Sequence, residues 1–237
     1  MIDHALQLLW TSLEDFDGSY DHLLAELPAE EQQRAIRFRI DAARHRFVLG
    51  RTVLRRHLST SLGMDPKALA FSTSDRGKPH LAFSDIDDPP YFNLSHSGNV
   101  IVLVVASVDV GVDVESLREI PNAERMAGRF FSRGEQTRIN DLDEATRNRS
   151  FLRIWTQKEA YLKATGLGVG MPLREVETEP DPEAPPRLLA VAGDREEATR
   201  WTLLEAEVPG AVCIVAARGQ MPTLEVRRFT PADLDAR

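Results

Sequence analysis

Asp113, Glu115, Glu159 and Lys163 are the residues of this chain whose types and spacing could do chemistry. From Trp155 to Gly170 the sequence reads WTQKEAYLKATGLGVG. As a helix it stacks Trp155, Glu159 and Lys163 on one face at intervals of four, and the glycines from Gly166 onward end it. A carboxylate and an ammonium one turn apart beneath an indole make a usable site, although such a pair alone is usually a surface ion pair over a buried Trp. What changes the odds lies upstream. Gly111-Val112-Asp113-Val114-Glu115 follows an apolar, β-branched run, Val100 to Ala106, with the length of a buried strand. A strand over Val110–Glu115 alternates its side chains, so Asp113 and Glu115 project to one side and Val112 and Val114 to the other. With an approaching Glu159 they would make an oxygen-only, three-carboxylate site for a hard cation such as Mg2+, which usually shares its ligands with substrate phosphates.

These residues belong to a longer pattern. GVDVE, then Phe131-x-x-x-Glu135, then W-x-x-K-E-A-x-x-K-x-x-G from Trp155 to Gly166, follow Gly77-Lys78-Pro79 and Asn93-Leu94-Ser95-His96-Ser97. In content and order this resembles the signature of the 4'-phosphopantetheinyl transferases, specifically the Sfp-type branch (Sfp, Gsp, HetI), over about residues 30–170. The resemblance implies an α+β fold, a pseudo-dimer of two similar halves related by a pseudo-twofold, with the site in the cleft between them. It implies an enzyme that moves the 4'-phosphopantetheine arm of coenzyme A to a serine of an acyl or peptidyl carrier protein, with Mg2+, releasing 3',5'-ADP. The nucleophile then belongs to the partner, and this chain needs none of its own.

The same resemblance assigns roles. Arg34, Gly77, Lys78, Pro79, Asn93, Ser95 and His96 bind coenzyme A together with Asp113, Glu159 and Lys163. Asp113, Glu115 and Glu159 hold Mg2+, Glu159 is the general base, and Lys163 holds phosphate oxygens. Some relatives carry a basic residue where this chain has Glu31, so part of that basic rim is absent. Two other functions suit the same residues: a coenzyme A-binding relative that has lost catalysis, and a Mg2+-dependent hydrolase of nucleotide pyrophosphates that turns over without a carrier.

The rest of the chain must position these groups. Its 237 residues, 42% apolar, suffice for one large domain or two small ones. The expected division is 1–108, with the coenzyme A-binding elements, and 109–237, with the carboxylates and the catalytic helix. A net charge of -8 argues against a general nucleic-acid binder. Cys213 is the only cysteine, so there is no disulfide framework, and a reducing cytoplasm is the natural home. The N-terminus lacks a signal-peptide pattern and no apolar run is long enough to span a bilayer, so a soluble protein is expected, acting as a monomer.

A strand at Leu6–Trp10 precedes a short helix at Tyr20–Leu27, and Pro28 opens another. An amphipathic helix from Ala42 to Leu62 presents Phe47, Leu54, Leu58 and Leu62 to a core and stops at Gly63. Between Arg34 and Arg56 stand eight arginines against one acid, Asp41. Most should cover apolar neighbours with their stems, and a few should face a polyanion. Strands are expected at Leu69–Thr73, His80–Phe83, Tyr91–Leu94 and Val100–Ser107, with a turn at Ser74–Pro79. Beyond a loop at Pro121, helices follow at Ala123–Phe130, after Ser132 and from Asp143 or Glu144. Ser132 and Glu135 form a capping box that suffices to explain Glu135. The proline-rich Glu179–Pro186 reads as a surface loop, and four strands between Arg187 and Phe229 should complete a second sheet.

Overall fold

The computed structural model describes residues 6–82, 88–220 and 223–235. The same series of elements runs through it twice. In the first half β1 (Leu6–Ser12) leads into α1 (Tyr20–Glu26), α2 (Ala29–Ile36) and the long α3 (Asp41–Leu62). A small hairpin follows, β2 (Phe71–Thr73) with β3 (Pro79–Leu81), then a larger one, β4 (Tyr91–Ser97) with β5 (Val100–Ala106). In the second half β6 (Val110–Ser116) leads into α4 (Ala123–Phe130), α5 (Arg133–Asp141) and the long α6 (Glu144–Thr165). A small hairpin, β7 (Val176–Thr178) with β8 (Leu188–Val191), precedes the short α7 (Arg195–Thr199) and a larger hairpin, β9 (Trp201–Ala206) with β10 (Ala211–Arg218).

In each half the returning strand pairs antiparallel with the leading one, giving the matched orders β1-β5-β4 and β6-β10-β9. This is the α+β pseudo-dimer expected from the resemblance. The expected strand end at Phe83 lies outside the described residues.

Two of the four strands expected to complete the second sheet do not join it: β8 pairs only with β7 in a separate small sheet, and the last strand, β11 (Leu224–Arg228), pairs parallel with β1, with α8 (Ala232–Asp235) following it. The outer edge of β1 would otherwise present unpaired backbone groups, which β11 takes up. Sequence alternation alone cannot choose between two available edges.

Strand alternation sets the layers. Leu9, Ile101, Leu103 and Val105 pack against α1–α3. Leu8, Val102 and Val104 point the other way, onto Val110, Val112, Val114, Cys213 and Val215 of the second sheet. Val212, Ile214 and Ala216 then face α4–α6. The order is helices, sheet, sheet, helices, with each sheet buried on both faces, which is why β5 and β10 read as near-continuous apolar runs.

Both long helices end on a left-handed glycine, Gly63 at φ 65° and Gly166 at φ 67°. Helix α6 begins at Asp143, whose Oδ1 accepts from Thr146 N at 2.9 Å. Its middle is pinned by a buried ion pair, Lys158 Nζ to Glu135 Oε2 at 2.7 Å. Glu135 also closes the capping box on Ser132 and accepts from Thr178 N and Oγ1, while Lys158 donates to the Leu173 and Val176 carbonyls. The acid expected only to cap α5 therefore ties α5, α6 and β7 together.

Helix α6 lies directly on β6 at Gly111. A Cβ there would stand 2.2 Å from Ala164 N and 2.4 Å from Ala160 O, both backbone atoms that cannot move alone. Gly111→Ala should therefore destabilise by roughly 3 kcal/mol or more, at the upper end of overpacking effects, read as a lower thermal midpoint. An unchanged midpoint would mean that the helix is free to retreat.

Candidate active site

The site is built by β4, β6 and α6. Odd-numbered residues of β4 face β6 across the junction of the two sheets. Asn93 Oδ1 accepts from Val112 N at 3.0 Å, Ser95 Oγ donates to Asp113 Oδ1 at 3.1 Å, and Ser97 Oγ donates to Glu115 Oε2 at 2.9 Å. Lys163, in the last turn of α6, donates to Ser95 Oγ at 2.8 Å and to Asp113 Oδ1 at 2.5 Å. Ser95, Asp113 and Lys163 thus close a ring of hydrogen bonds, one member from the first half and two from the second. Glu159 sits one turn earlier on α6.

Burial pushes the Asp113 carboxyl above its ordinary value; Lys163 and Ser95 oppose the rise and Glu115 adds to it. Glu159 is raised as well, first by burial, then by the Asp113 and Glu115 carboxylates, with Lys163 opposing. Burial, then the cations Arg46 and Lys163, lower His96.

The coenzyme A-binding residues expected in the first half divide into groups. Ser95 is a member of the ring, whereas His96 is exposed on the opposite face of β4. Asn93 spends its side-chain oxygen on stitching β4 to β6. Gly77 turns the small hairpin at φ 84°, and Pro79 opens β3. Lys78 reaches across to the other half, donating to Ala164 O at 2.5 Å and to Asp109 Oδ1 at 3.5 Å, and burial lowers its ammonium pKa. Arg34 is exposed, its guanidinium 5.1 Å from the Phe47 ring centroid. Glu31 takes up Arg51 and Arg55 in ion pairs, and Arg56 pairs with Glu26. Much of the arginine excess is therefore neutralised internally. Trp155 does not roof the site; it packs with Phe151 and Phe130 in the helical core.

Among the described residues no three His, Cys, Asp or Glu side chains are grouped to hold a metal ion. The expected convergence of Asp113, Glu115 and Glu159 is thus not formed here, because Lys163 takes Asp113 Oδ1 while Ser97 and Arg118 take Glu115 Oε2. The donor chemistry nonetheless fits a hard cation: the side chains offer only oxygen, and Asp113 Oδ2 is buried with no hydrogen-bond partner. Sequence reasoning missed Gly111 as the contact that seats α6, and Arg118 as a partner of Glu115. The alternation that placed Asp113 and Glu115 together applies equally to Ser95 and Ser97, and would have found their partners.

Residues 109–215 match the 4'-phosphopantetheinyl transferase superfamily, and residues 10–108 match the N-terminal region of 4'-phosphopantetheinyl transferases. The chain belongs to the 4'-phosphopantetheinyl transferases and is an enzyme of that class.

Within the family it stands with the Sfp/HetI branch. It is 37% identical over 210 residues to the 4'-phosphopantetheinyl transferase HetI of a Nostoc species, covering 88% of this chain and 85% of that one. It is 29% identical to the 4'-phosphopantetheinyl transferase Sfp of Bacillus subtilis, over 65% of this chain and 66% of that one. Among solved structures, a holo-[acyl-carrier-protein] synthase from Thermotoga maritima aligns over 48% of this chain and 64% of its own, with TM-score 0.38 and 25% identity. Among the described residues no helix is long and apolar enough to cross a membrane.

The raised Glu159 carboxyl has a measurable sign. The folded chain holds that proton more tightly than the unfolded chain, so the stability it adds is present at low pH and is lost as pH rises from 4.5 through the folded value. In EDTA the thermal midpoint should fall more steeply across that window for the parent than for Glu159→Gln. Equal slopes would show that Glu159 is not perturbed.

Proposed function

We propose that the enzyme transfers the 4'-phosphopantetheine arm of coenzyme A to a serine of an acyl or peptidyl carrier protein, releasing 3',5'-ADP, with Mg2+ as cofactor. The observation that carries this reading is the ring of Ser95, Asp113 and Lys163 across the two halves, with a base-like Glu159 beside it. One chain supplies both sides of the cleft, so a monomer suffices.

Lys163 and His96 hold oxygens of the pyrophosphate, and Lys78 with Arg34 receive the nucleotide end. Asp113 and Glu115, with Glu159 through water, are the residues that would hold Mg2+, which when bound supplies positive charge against the pyrophosphate. Glu159 accepts the proton of the carrier serine, and its raised affinity for protons suits that task. The serine oxygen forms a bond to the β-phosphorus, the bond from that phosphorus to the bridging oxygen breaks, and 3',5'-ADP leaves carrying that oxygen. Ser95 and Asp113 orient the Lys163 ammonium throughout.

Two experiments test this. Transfer, read as the mass gain of an apo-carrier, should cease in excess EDTA, and Asp113→Asn should impair it more than Glu115→Gln, whose carboxylate is already shared with Ser97 and Arg118. Glu159→Gln should keep coenzyme A and Mg2+ affinity while lowering turnover by roughly 10²- to 10⁴-fold. Rescue to the parent rate by high Mg2+ would make Glu159 a ligand instead of a base. Separately, Lys78→Ala and His96→Ala should each weaken coenzyme A binding by about 1–3 kcal/mol in calorimetry. Unchanged affinity with a lowered thermal midpoint would return Lys78 to its tie with Ala164.

A further inference from the structure

The turn between α2 and α3 is the least economical part of the surface. Ile36 and Ile40 are 70% and 67% exposed, the two most exposed large apolar side chains among the described residues. They alternate with charge in Arg34-Ala35-Ile36-Arg37-Phe38-Arg39-Ile40. Arg34, Arg37 and Arg39 are exposed and have no ion-pair partner among the described residues, whereas Arg44, Arg51, Arg55 and Arg56 are all paired. A protein of net charge -8 thus carries one turn where Arg37 and Arg39, exposed and without an ion-pair partner among the described residues, alternate with two exposed isoleucines.

The turn is held in place. Phe38 packs on Phe47 with ring centroids 5.3 Å apart, and the Arg34 guanidinium covers the same Phe47 ring. Helix α2 closes with Phe38 N donating to Ala35 O, and α3 opens with Arg44 N donating to Ile40 O. With Phe38 anchored inward, Ile36 and Ile40 stay outside at a fixed spacing. The turn is also continuous with the site. Arg46, in the second turn of α3, donates to Gly98 O at 3.1 Å, and Gly98 follows Ser97, the partner of Glu115. Arg46 also lowers the pKa of His96.

Resting on the proposed function, we infer that the Ile36–Ile40 turn is a docking surface for the carrier protein, binding a face that bears carboxylates around an apolar side chain. The exposed, unpaired Arg37 and Arg39 call for an anionic partner, and arginine beside exposed apolar residues is the composition of an interface rather than of bare surface. An anionic membrane would share that charge. The carrier is favoured because the turn adjoins the cleft into which the partner's serine must be delivered, so one macromolecule reaches both places at once.

The test compares the parent with Ile36→Ser/Ile40→Ser and with Arg37→Glu/Arg39→Glu, all exposed positions at which thermal midpoints should not move. With an acidic apo-carrier, each double variant should raise the carrier KM by about tenfold or more, leaving kcat and the coenzyme A KM at parent values. The charge reversal should also flatten the dependence of carrier association on salt. Parent-like carrier KM in both variants overturns the docking surface while leaving the transferase reading intact. Failure of the parent to modify any carrier overturns that reading, and direct binding of the same carriers to parent and variants by fluorescence anisotropy then decides the surface on its own. Co-sedimentation of the parent, but not the variants, with phosphatidylserine vesicles alongside unchanged carrier binding would assign the turn to membranes and also overturn the proposal.

Discussion

The missing side chain at position 111 is the constraint on which the rest of the site depends. Helix α6 touches the backbone of β6 there, and the next two residues on that face of the strand are Asp113 and Glu115. A helix held off by one methyl group would carry Lys163 and Glu159 away from them. Close contact instead places an ammonium at hydrogen-bond distance from a buried carboxylate and leaves Glu159 in the field of two others. The buried Lys158–Glu135 pair fixes the same helix from its opposite side. Such a pair contributes little net stability, but losing one partner is costly, so it holds α6 in one position.

The internal duplication explains why the site is lopsided. Both halves have the same order of strands and helices, yet only the second carries acids on its leading strand. The corresponding strand of the first half, β1, reads LQLLWTS and has none. The first half contributes hydroxyls and an amide from β4 at the junction, and basic residues beyond it. The second half brings both the carboxylates and the Lys163 ammonium to that junction.

Much of this was legible in the sequence, for local reasons. Alternation put Asp113 opposite Val112 and Val114, the four-residue spacing put Glu159 and Lys163 together, and Gly63, Gly166 and the Ser132 capping box mark helix ends chemically. What was not legible depends on partners distant in the chain. Nothing near Gly111 announces that Ala160 and Ala164 will press on it, and nothing near Glu31 announces Arg51 and Arg55. The distant partners Lys163, for Asp113, and Ser97, for Glu115, are equally silent in the local sequence. The strand at Leu224–Arg228 was correctly read as a strand, but its sheet is decided by which edge remains open.

That last strand has a kinetic consequence. The central strand of the first sheet, β5, and its neighbour β1 are synthesised within the first 106 residues, but β11 emerges only after the entire second half. The first sheet must wait with an unprotected edge while more than half of the chain is still being made. Pairings between residues so far apart in sequence close late and slowly. During synthesis β1 therefore offers its backbone to any extended segment that passes until β11 has emerged to cover it.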